Sequence, residues 1–215
     1  MNSSSVLHSY LANRSDLHLL RKLWHVSTGM LIFLVYWLSD LTQYEAFLIL
    51  GGLFVIFTAS ECIRLRSERI NALAIRIWGP VMRSHEALKF SGTPYYLASC
   101  ALVVLVFPKT IALLSVLFLA VGDPMASLVG ILAKGRGIRF ANGKSLAGTL
   151  AAVAVCFVIS WVFLSYLGVS QHREVYAIVG ALAGGLAEHI PFGWDDNLSI
   201  PLVSGLALWI TSSML

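Results

Sequence analysis

One stretch near the middle of the chain decides the fold: Thr110-Ile-Ala-Leu-Leu-Ser-Val-Leu-Phe-Leu-Ala-Val-Gly-Asp-Pro-Met-Ala-Ser-Leu-Val-Gly-Ile-Leu-Ala133. It is longer than the ~20 residues that a helix needs to cross a bilayer, and its single charged residue is Asp123. The whole chain is similarly apolar, since 58% of its 215 residues are hydrophobic, 12% are charged and the mean hydropathy is +0.80. Soluble domains carry about 25% charged residues. The sequence therefore predicts an all-α, polytopic integral membrane protein.

Apolar runs on both sides of this stretch predict the remaining membrane spans. With the stretch itself they make about seven transmembrane helices, at residues 24–41, 44–59, 93–107, 110–133, 145–167, 175–190 and 198–215. Residues 1–20 form a polar N-terminal segment. Residues 61–90 are rich in charge but carry apolar side chains on one side, which predicts an amphipathic helix on the cytoplasmic membrane surface. We expect residues 1–215 to form a single membrane-embedded catalytic domain.

The positive charges of the chain indicate its orientation. If the N-terminus is cytoplasmic and the chain crosses seven times, all of the 15 lysines and arginines except Lys109 and Arg173 fall on the cytoplasmic side. This separation agrees with the positive-inside rule. We therefore expect the N-terminus and the active site on the cytoplasmic face. The net charge of +4 then faces anionic headgroups or an anionic substrate, and we expect no nucleic-acid partner.

Asp123 is the first candidate for a functional residue. An acid inside an apolar span is energetically costly, and its presence there favours a functional role over a packing role. Gly122 and Pro124 flank it and disturb regular helical bonding. In a helix, Ala126 and Gly130 would share the face of Asp123, and such small residues admit another helix or a ligand closely.

The segment Asn142-Gly-Lys-Ser-Leu-Ala-Gly-Thr149 is a candidate phosphate site. Gly143, Lys144 and Ser145 lead into the fifth span, and a glycine-rich helix N-terminus offers backbone N–H groups and a positive dipole end to a phosphate. A Walker A motif is excluded, because its first glycine would fall at Ile138. The alternative is an ordinary basic flank of a span.

Two further clusters contribute charged groups near the same membrane face. Glu188, Asp195 and Asp196 are close together in the sequence, and a divalent cation relieves the repulsion between adjacent carboxylates. Mg²⁺ is suited to such a site, because it takes one or two carboxylates together with phosphate oxygens and water. Arg21 and His25 are one helical turn apart. Arg21 could bind an anion and His25 could transfer a proton. The alternative for the three acids is a solvated loop. The alternative for Arg21 and His25 is a basic flank of a span with an interfacial histidine.

These motifs combine into one set: Arg21-Lys22…His25…Gly29, Gly122-Asp123…Ala126…Gly130, Gly143-Lys144-Ser145…Gly148 and Glu188…Asp195-Asp196-Asn197…Pro201. The set resembles the CTP-dependent lipid kinase family, which includes dolichol kinase, phytol kinase and the fungal-type diacylglycerol kinase. The resemblance covers residues 20–202 and is strongest in the Asp-Asp-Asn and Gly-Asp-Pro segments. It implies an all-helical membrane fold, CTP as phosphoryl donor, Mg²⁺ as cofactor and a long-chain alcohol or diacylglycerol as acceptor.

We therefore expect a kinase that converts CTP and a membrane-embedded lipid alcohol into the lipid monophosphate and CDP. The expected catalytic residues are Asp123, Lys144, Glu188 and His25. The expected nucleotide-binding or substrate-binding residues are Arg21, Lys22, Gly143, Ser145 and Asn197. The expected metal ligands are Asp123, Asp195 and Asp196. The acceptor stays open between isoprenoid alcohols such as phytol, geranylgeraniol or dolichol and diacylglycerol, and the oligomeric state is undetermined.

Two other functions remain compatible with the residues. A phosphatidate cytidylyltransferase, which forms a CDP-lipid and pyrophosphate, has a similar Gly-Asp…Ala…Gly segment, but its longer lysine-rich signature is missing after Lys144. A small cation- or proton-coupled transporter would use Asp123 as its midplane site. The concentration of charge on one side of the membrane favours an enzyme that draws on cytoplasmic nucleotide.

Overall fold

The computed structural model describes residues 19–133, 137–189 and 195–215. The helices in these ranges are α1 (Leu19–Leu38), α2 (Gln43–Arg66), α3 (Glu68–Trp78), α4 (Gly92–Val106), α5 (Lys109–Leu117), α6 (Asp123–Leu132), α7 (Leu146–Tyr166), α8 (Arg173–Leu186) and α9 (Asp196–Met214). A π-helical turn, Phe118–Gly122, joins α5 to α6, and 3-10 turns occur at Gly79–Val81, Ser84–Ala87 and Ala187–His189. The described ranges contain no β-strand beyond an isolated bridge between Arg139 and Ser145. The all-α prediction is confirmed.

Every predicted span coincides with helical structure. In the part of the chain that the structure describes, four helices are long and apolar enough to cross a membrane, namely α2, α7, α9 and the continuous helix Lys109–Leu132 that comprises α5, the π-helical turn and α6. Helix α4 is apolar but shorter. The chain is thus an all-helical membrane protein, and the count of seven spans stays a prediction. Residues 1–18 of the predicted polar N-terminal segment lie outside the described residues.

The continuous helix Lys109–Leu132 lies at the centre of the bundle, and it is the most buried of the four long apolar helices. Phe118 on its π-helical turn is fully buried and faces α8. A Cβ atom added to Gly180 would lie 3.0 Å from the Phe118 ring, and one added to Gly184 would lie 3.2 Å from it. Glycine at these positions therefore lets α8 approach the central helix closely, as small residues do in membrane helix pairs.

The interfacial segment 61–90 is less regular than the predicted single helix. Its first residues extend α2 to Arg66, and Ser67 then starts α3 by accepting a hydrogen bond from the N–H of Ile70. Helix α3 ends at Trp78, because Gly79 and Pro80 follow it. The amphipathic helix therefore covers only Glu68–Trp78, and the remainder of the segment folds into two 3-10 turns.

The charged side chains separate between the two ends of the bundle. Lys109 lies at one end, where its Nζ donates to the carbonyl of Ser39 and stands over the Tyr36 ring. At the other end, Arg83 pairs with Asp195 and Lys144 pairs with Asp196. This arrangement places the candidate site residues at one end of the bundle. Which end faces the cytoplasm stays a prediction.

Candidate active site

A cavity of about 590 Å³ opens at the charged end of the bundle. Within the described ranges, its charged lining consists of five basic side chains and two carboxylates, which are Arg21, Lys22, Arg83, Arg139, Lys144, Asp123 and Asp196. Ala126, Ser127, Gly130, Gly143, Ser145 and Gly148 also line it. Because basic groups outnumber acidic ones, the cavity favours a polyanionic ligand.

Asp123 lies deep in this cavity, at the point where the central helix changes its hydrogen bonding. The N–H of Asp123 donates to the carbonyl of Phe118, five residues earlier, and Pro124 has no N–H to donate. A rise of ~1.5 Å per residue places Asp123 ~14 Å below the end of α6 at Leu132. The cavity thus carries a carboxylate well into the helical bundle.

His25 satisfies the carbonyl that this irregularity leaves without a helical donor. Its Nε2 lies 3.0 Å from the carbonyl oxygen of Leu119 and 3.8 Å from an Asp123 carboxylate oxygen. A carbonyl oxygen only accepts hydrogen bonds, so Nε2 must carry a proton. The imidazole also packs edge-to-face against Tyr96, with ring centroids 4.8 Å apart. His25 is therefore held rigidly beside Asp123.

Small residues bring α6 and α7 together beside the cavity, as the sequence predicted for the Ala126–Gly130 face. A Cβ atom on Gly148 would lie 2.5 Å from the carbonyl oxygen of Ala126, and one on Gly130 would lie 2.9 Å from the Ser145 hydroxyl. Neither position accepts a larger side chain without movement. The N-terminus of α7 is consequently packed against the helix that carries Asp123.

The loop before α7 is a tight turn held by backbone bonds. The N–H of Phe140 donates to the carbonyl of Lys144 at 2.8 Å, and Gly143 adopts a positive φ of 81°. The hydroxyl of Ser145 accepts from the N–H of Gly148, so this residue is the N-cap of α7. Gly143, Lys144 and Ser145 therefore lie where the sequence predicted them, at a helix N-terminus on the cavity wall.

The predicted metal ligands take two different positions. Asp196 lines the cavity and pairs with the Lys144 Nζ at 2.5 Å. Asp195 is directed to Arg83, with 3.3 Å between their closest side-chain atoms, and its carboxylate caps α9 by accepting from the N–H of Asn197. Of the carboxylates that the structure describes, Asp123 and Asp196 are thus the ones that line the cavity.

This donor set fits Mg²⁺ when a phosphate supplies the remaining ligands. Among the described residues, no group of three or more His, Cys, Asp and Glu side chains is placed to hold a metal ion. Mg²⁺, however, commonly uses one or two carboxylates, water and phosphate oxygens. Asp123 and Asp196, on the wall of a basic cavity, meet that requirement.

Two predicted site residues lie elsewhere or cannot be placed. Asn197 is buried between α9 and α4, where its side-chain N–H group faces the carbonyl of Gly92 at 3.4 Å, and it does not line the cavity. Glu188 belongs to the turn Ala187–His189, but its side chain lies outside the described part of the chain, as do residues 190–194. The structure therefore leaves the proposed role of Glu188 undescribed.

Arg83 and Arg139 are cavity residues to which the sequence had given no site role. Arg83 comes from the interfacial segment, which was interpreted only as a charged surface helix. Arg139 donates to the carbonyls of Gly143 and Gly130 and so fastens the glycine-rich loop to α6. Their positive charge was the only signal in the sequence, and many surface residues share it.

Two basic groups, Arg21 and Lys22, lie at the start of α1. Burial and, to a smaller extent, the positive charge of Arg21 lower the pKa of Lys22 from its ordinary value. Among the described residues, no carboxylate lies within 4.0 Å of the Arg21 guanidinium. A bound anion would therefore stabilise the charged forms of both side chains.

Comparison with known proteins identifies relatives along most of the chain. The chain is 30% identical over 206 residues to CTP-dependent diacylglycerol kinase 1 of Eremothecium gossypii. This alignment covers 86% of this chain and 64% of that protein. It is 33% identical over 169 residues to the Schizosaccharomyces pombe protein of the same name, covering 74% of this chain and 77% of the relative. It is 31% identical over 218 residues to phytol kinase of Synechocystis sp., covering 96% of this chain and 86% of the relative. No family model and no solved structure matches the sequence.

Proposed function

This chain belongs to the family of CTP-dependent lipid kinases, and from this premise we propose that it transfers the terminal phosphate of CTP to the hydroxyl group of a lipid alcohol in the membrane. The products are the lipid monophosphate and CDP. The proposal places nucleotide binding and phosphoryl transfer in the basic cavity, on the cytoplasmic face.

The observation that carries the proposal is the cavity itself. Among the described residues, five basic side chains and two carboxylates line it, and one of the carboxylates, Asp123, lies within a membrane helix. A nucleoside triphosphate brings the negative charge that this lining favours, and a hydroxyl held in the bilayer can approach the deep end. Phosphoryl transfer needs mainly positioning and charge neutralisation, and this site supplies both.

In the proposed reaction, the lipid hydroxyl oxygen forms a bond to the γ-phosphorus of CTP. The bond between that phosphorus and the oxygen bridging to the β-phosphate breaks, and CDP leaves with that oxygen. Arg21, Lys22 and Lys144 neutralise the phosphates, with Arg83 and Arg139 as additional partners. Asp123 and Asp196 would hold Mg²⁺, which supplies charge neutralisation for the triphosphate.

His25 is the residue that we propose as acceptor of the proton from the lipid hydroxyl group. Its Nε2 donates to Leu119, so Nδ1 is the nitrogen of the neutral ring that can accept a proton. The bond to Leu119 also fixes the ring plane. We propose that His25 orients and deprotonates the hydroxyl, while Asp123 lies on the opposite, Nε2 side of the ring.

The test uses purified protein in detergent with Mg²⁺ and CTP labelled at either the α- or the γ-phosphate. Diacylglycerol, geranylgeraniol, phytol, dolichol and phosphatidate are offered separately. A kinase moves the γ-label, but no α-label, into a lipid product, and the reactive lipid names the acceptor. Movement of the α-label into lipid with phosphatidate, together with release of γ-labelled pyrophosphate, would instead establish a cytidylyltransferase. Absence of turnover with every acceptor would contradict both enzymes and favour the transporter.

A further inference from the structure

A second cavity of about 280 Å³ lies next to the basic cavity and differs from it in character. It is enclosed by α1, α2, α3 and the beginning of α4. Its apolar lining includes Trp24, Phe57, Ile70, Trp78, Met82 and Leu97. Arg21 and His25 line both cavities, so the two spaces meet at these side chains.

We propose that this second cavity binds the head end of the acceptor lipid and delivers its hydroxyl group to the basic cavity between Arg21 and His25. The inference rests on the proposed kinase function and adds the location of the acceptor site. Ligand pockets of this kind are mostly apolar with a few polar groups that fix orientation.

Two buried polar atoms mark the end of the cavity that would receive a hydroxyl. Tyr96 and Asn197 both line it and are only 5% and 2% exposed. Neither the Tyr96 hydroxyl nor the Asn197 side-chain oxygen has a hydrogen-bond partner within the described residues. Buried polar atoms are nearly always satisfied, because leaving one unpaired costs about 1–3 kcal/mol. The head end of a lipid alcohol could satisfy either atom, by donating to the Asn197 oxygen or by accepting from the Tyr96 hydroxyl, before the reacting hydroxyl group reaches the basic cavity.

This position decides between the two roles expected for Asn197. The family resemblance implied a residue that binds nucleotide or substrate, and the side chain lies away from the basic cavity. Contact with the acceptor, rather than with the nucleotide, fits that position.

The acidic residues beside this cavity are already engaged by backbone groups. The Glu61 carboxylate pairs with Arg64 and accepts from the N–H of Ser91 at 2.7 Å. The Glu86 carboxylate accepts from the N–H groups of Arg83 and Gly92. These bonds neutralise or occupy the charges, so the lining suits an uncharged alcohol better than an anionic headgroup.

The exposed apolar side chains of this cavity indicate that it opens towards the bilayer. Trp24 and Trp78 stand together at its rim, with ring centroids 5.4 Å apart, and they are 46% and 49% exposed. Ile70 and Phe57 continue this exposed apolar rim. Tryptophan is typical of the membrane interface, and a volume of about 280 Å³ is too small for a long chain. The lipid tail would therefore leave the cavity past Trp24 and Trp78.

Photo-crosslinking tests the location without requiring turnover. The probes are a diacylglycerol with a diazirine at the glycerol end of one acyl chain and a geranylgeraniol with a diazirine near the hydroxyl, each in detergent micelles with the full chain. We expect crosslinks on cavity residues such as Ile70, Met82 and Leu97, and competition by the unlabelled lipid. The probe that crosslinks in the cavity and is displaced by its unlabelled lipid shows which of the two acceptor classes binds there. Crosslinks confined to other surfaces would overturn the proposal.

Obstructing variants give an independent kinetic test. Ser60 lines the cavity and Ala59 does not, although both are exposed on α2. Ser60→Trp should raise the KM for the acceptor about tenfold and leave the KM for CTP unchanged, whereas Ala59→Trp should change neither. Ala74→Phe, with Ala72→Phe as its control, repeats the test from α3, where Ala74 lines the cavity and Ala72 does not.

The outcomes distinguish this inference from the proposed function. Crosslinking in the cavity without phosphoryl transfer would retain the lipid site and reject the kinase. Phosphoryl transfer that is insensitive to both Ser60→Trp and Ala74→Phe would retain the kinase and reject this acceptor site.

Discussion

The Nε2 atom of His25 lies 3.0 Å from the carbonyl oxygen of Leu119, an oxygen for which the helix itself provides no donor. In a regular helix the N–H of Asp123 would donate to this oxygen, but here it donates to Phe118 instead. The next residue, Pro124, has no N–H. The proline, the π-helical turn and the histidine therefore form one arrangement, and it positions both His25 and Asp123.

We expect His25→Phe to lower the free energy of unfolding by about 1–3 kcal/mol, because the buried Leu119 carbonyl loses its partner. Pro124→Ala restores a backbone N–H at that place in the helix. In the Pro124→Ala background, His25→Phe should therefore be markedly less destabilising. Unfolding titrations in detergent on the wild type, both single variants and the double variant measure this coupling. If the two substitutions lower the free energy of unfolding additively, His25 and Pro124 are not coupled through the Leu119 carbonyl.

Asp123→Asn should reduce kcat for phosphoryl transfer at least ~100-fold, because Asn retains the shape of the side chain but removes the charge proposed to hold Mg²⁺. The assay is transfer of the γ-label from CTP to lipid. Asp40→Asn is the matched control, since Asp40 lies at the opposite end of α1 from Arg21. Full turnover by the Asp123 variant would remove this residue from the mechanism.

The adjacent acids Asp195 and Asp196 should differ in their response to substitution. Asp196→Asn should raise the Mg²⁺ concentration needed for half-maximal activity several-fold, because Asp196 lines the basic cavity. Asp195→Asn should raise it less, since asparagine preserves the cap of α9 and removes only the ion pair with Arg83. Magnesium titrations at saturating CTP measure both. A larger increase in this Mg²⁺ concentration for Asp195→Asn than for Asp196→Asn would make Asp195 the metal ligand.

Replacing Arg83 or Arg139 by glutamine should raise the KM for CTP about tenfold, because each loses a positive charge from the cavity lining. The dependence of this KM on salt concentration should also become weaker. Arg173→Gln serves as the comparison, since Arg173 stands over the Trp161 ring, away from the cavity. An unchanged KM in both cavity variants would exclude these arginines from nucleotide binding.

Gly29→Ala should destabilise the protein strongly, whereas Gly52→Ala should not. A Cβ atom on Gly29 would lie 2.2 Å from the Tyr96 hydroxyl oxygen and 2.4 Å from the Ala120 Cβ, so α1 would have to move away from the central helix. Nothing lies within 4 Å of a Cβ atom on Gly52, where alanine should stabilise α2 by about 0.5–1 kcal/mol. Thermal unfolding in detergent compares the two. Equal melting temperatures would contradict the close approach of α1.

The sequence predicted much of the fold and part of the candidate site. The seven apolar runs coincide with helical structure, and the family resemblance is confirmed by the relatives. Asp123, Lys144 and Arg21 do line one cavity. The interfacial helix was predicted too long, because the local effects of Ser67 and of Gly79-Pro80 were not considered. The location of Arg83 on the basic cavity and that of Asn197 on the apolar cavity could not be predicted from their positions in the chain.

The sequence by itself determined the membrane character, the helical class and the family, because composition, hydrophobic run length and local motifs are properties of the chain. Only the tertiary structure decided which charged groups share a space. Lys144 and Asp196 are 52 positions apart, and Arg83 and Asp195 are 112 positions apart, yet each pair is in contact. Such contacts depend on how closely the helices pack, and at Gly29, Gly130 and Gly148 that packing is set by the absence of a side chain. The division into a basic cavity and an apolar cavity that meet at His25 is therefore a property of the folded bundle alone.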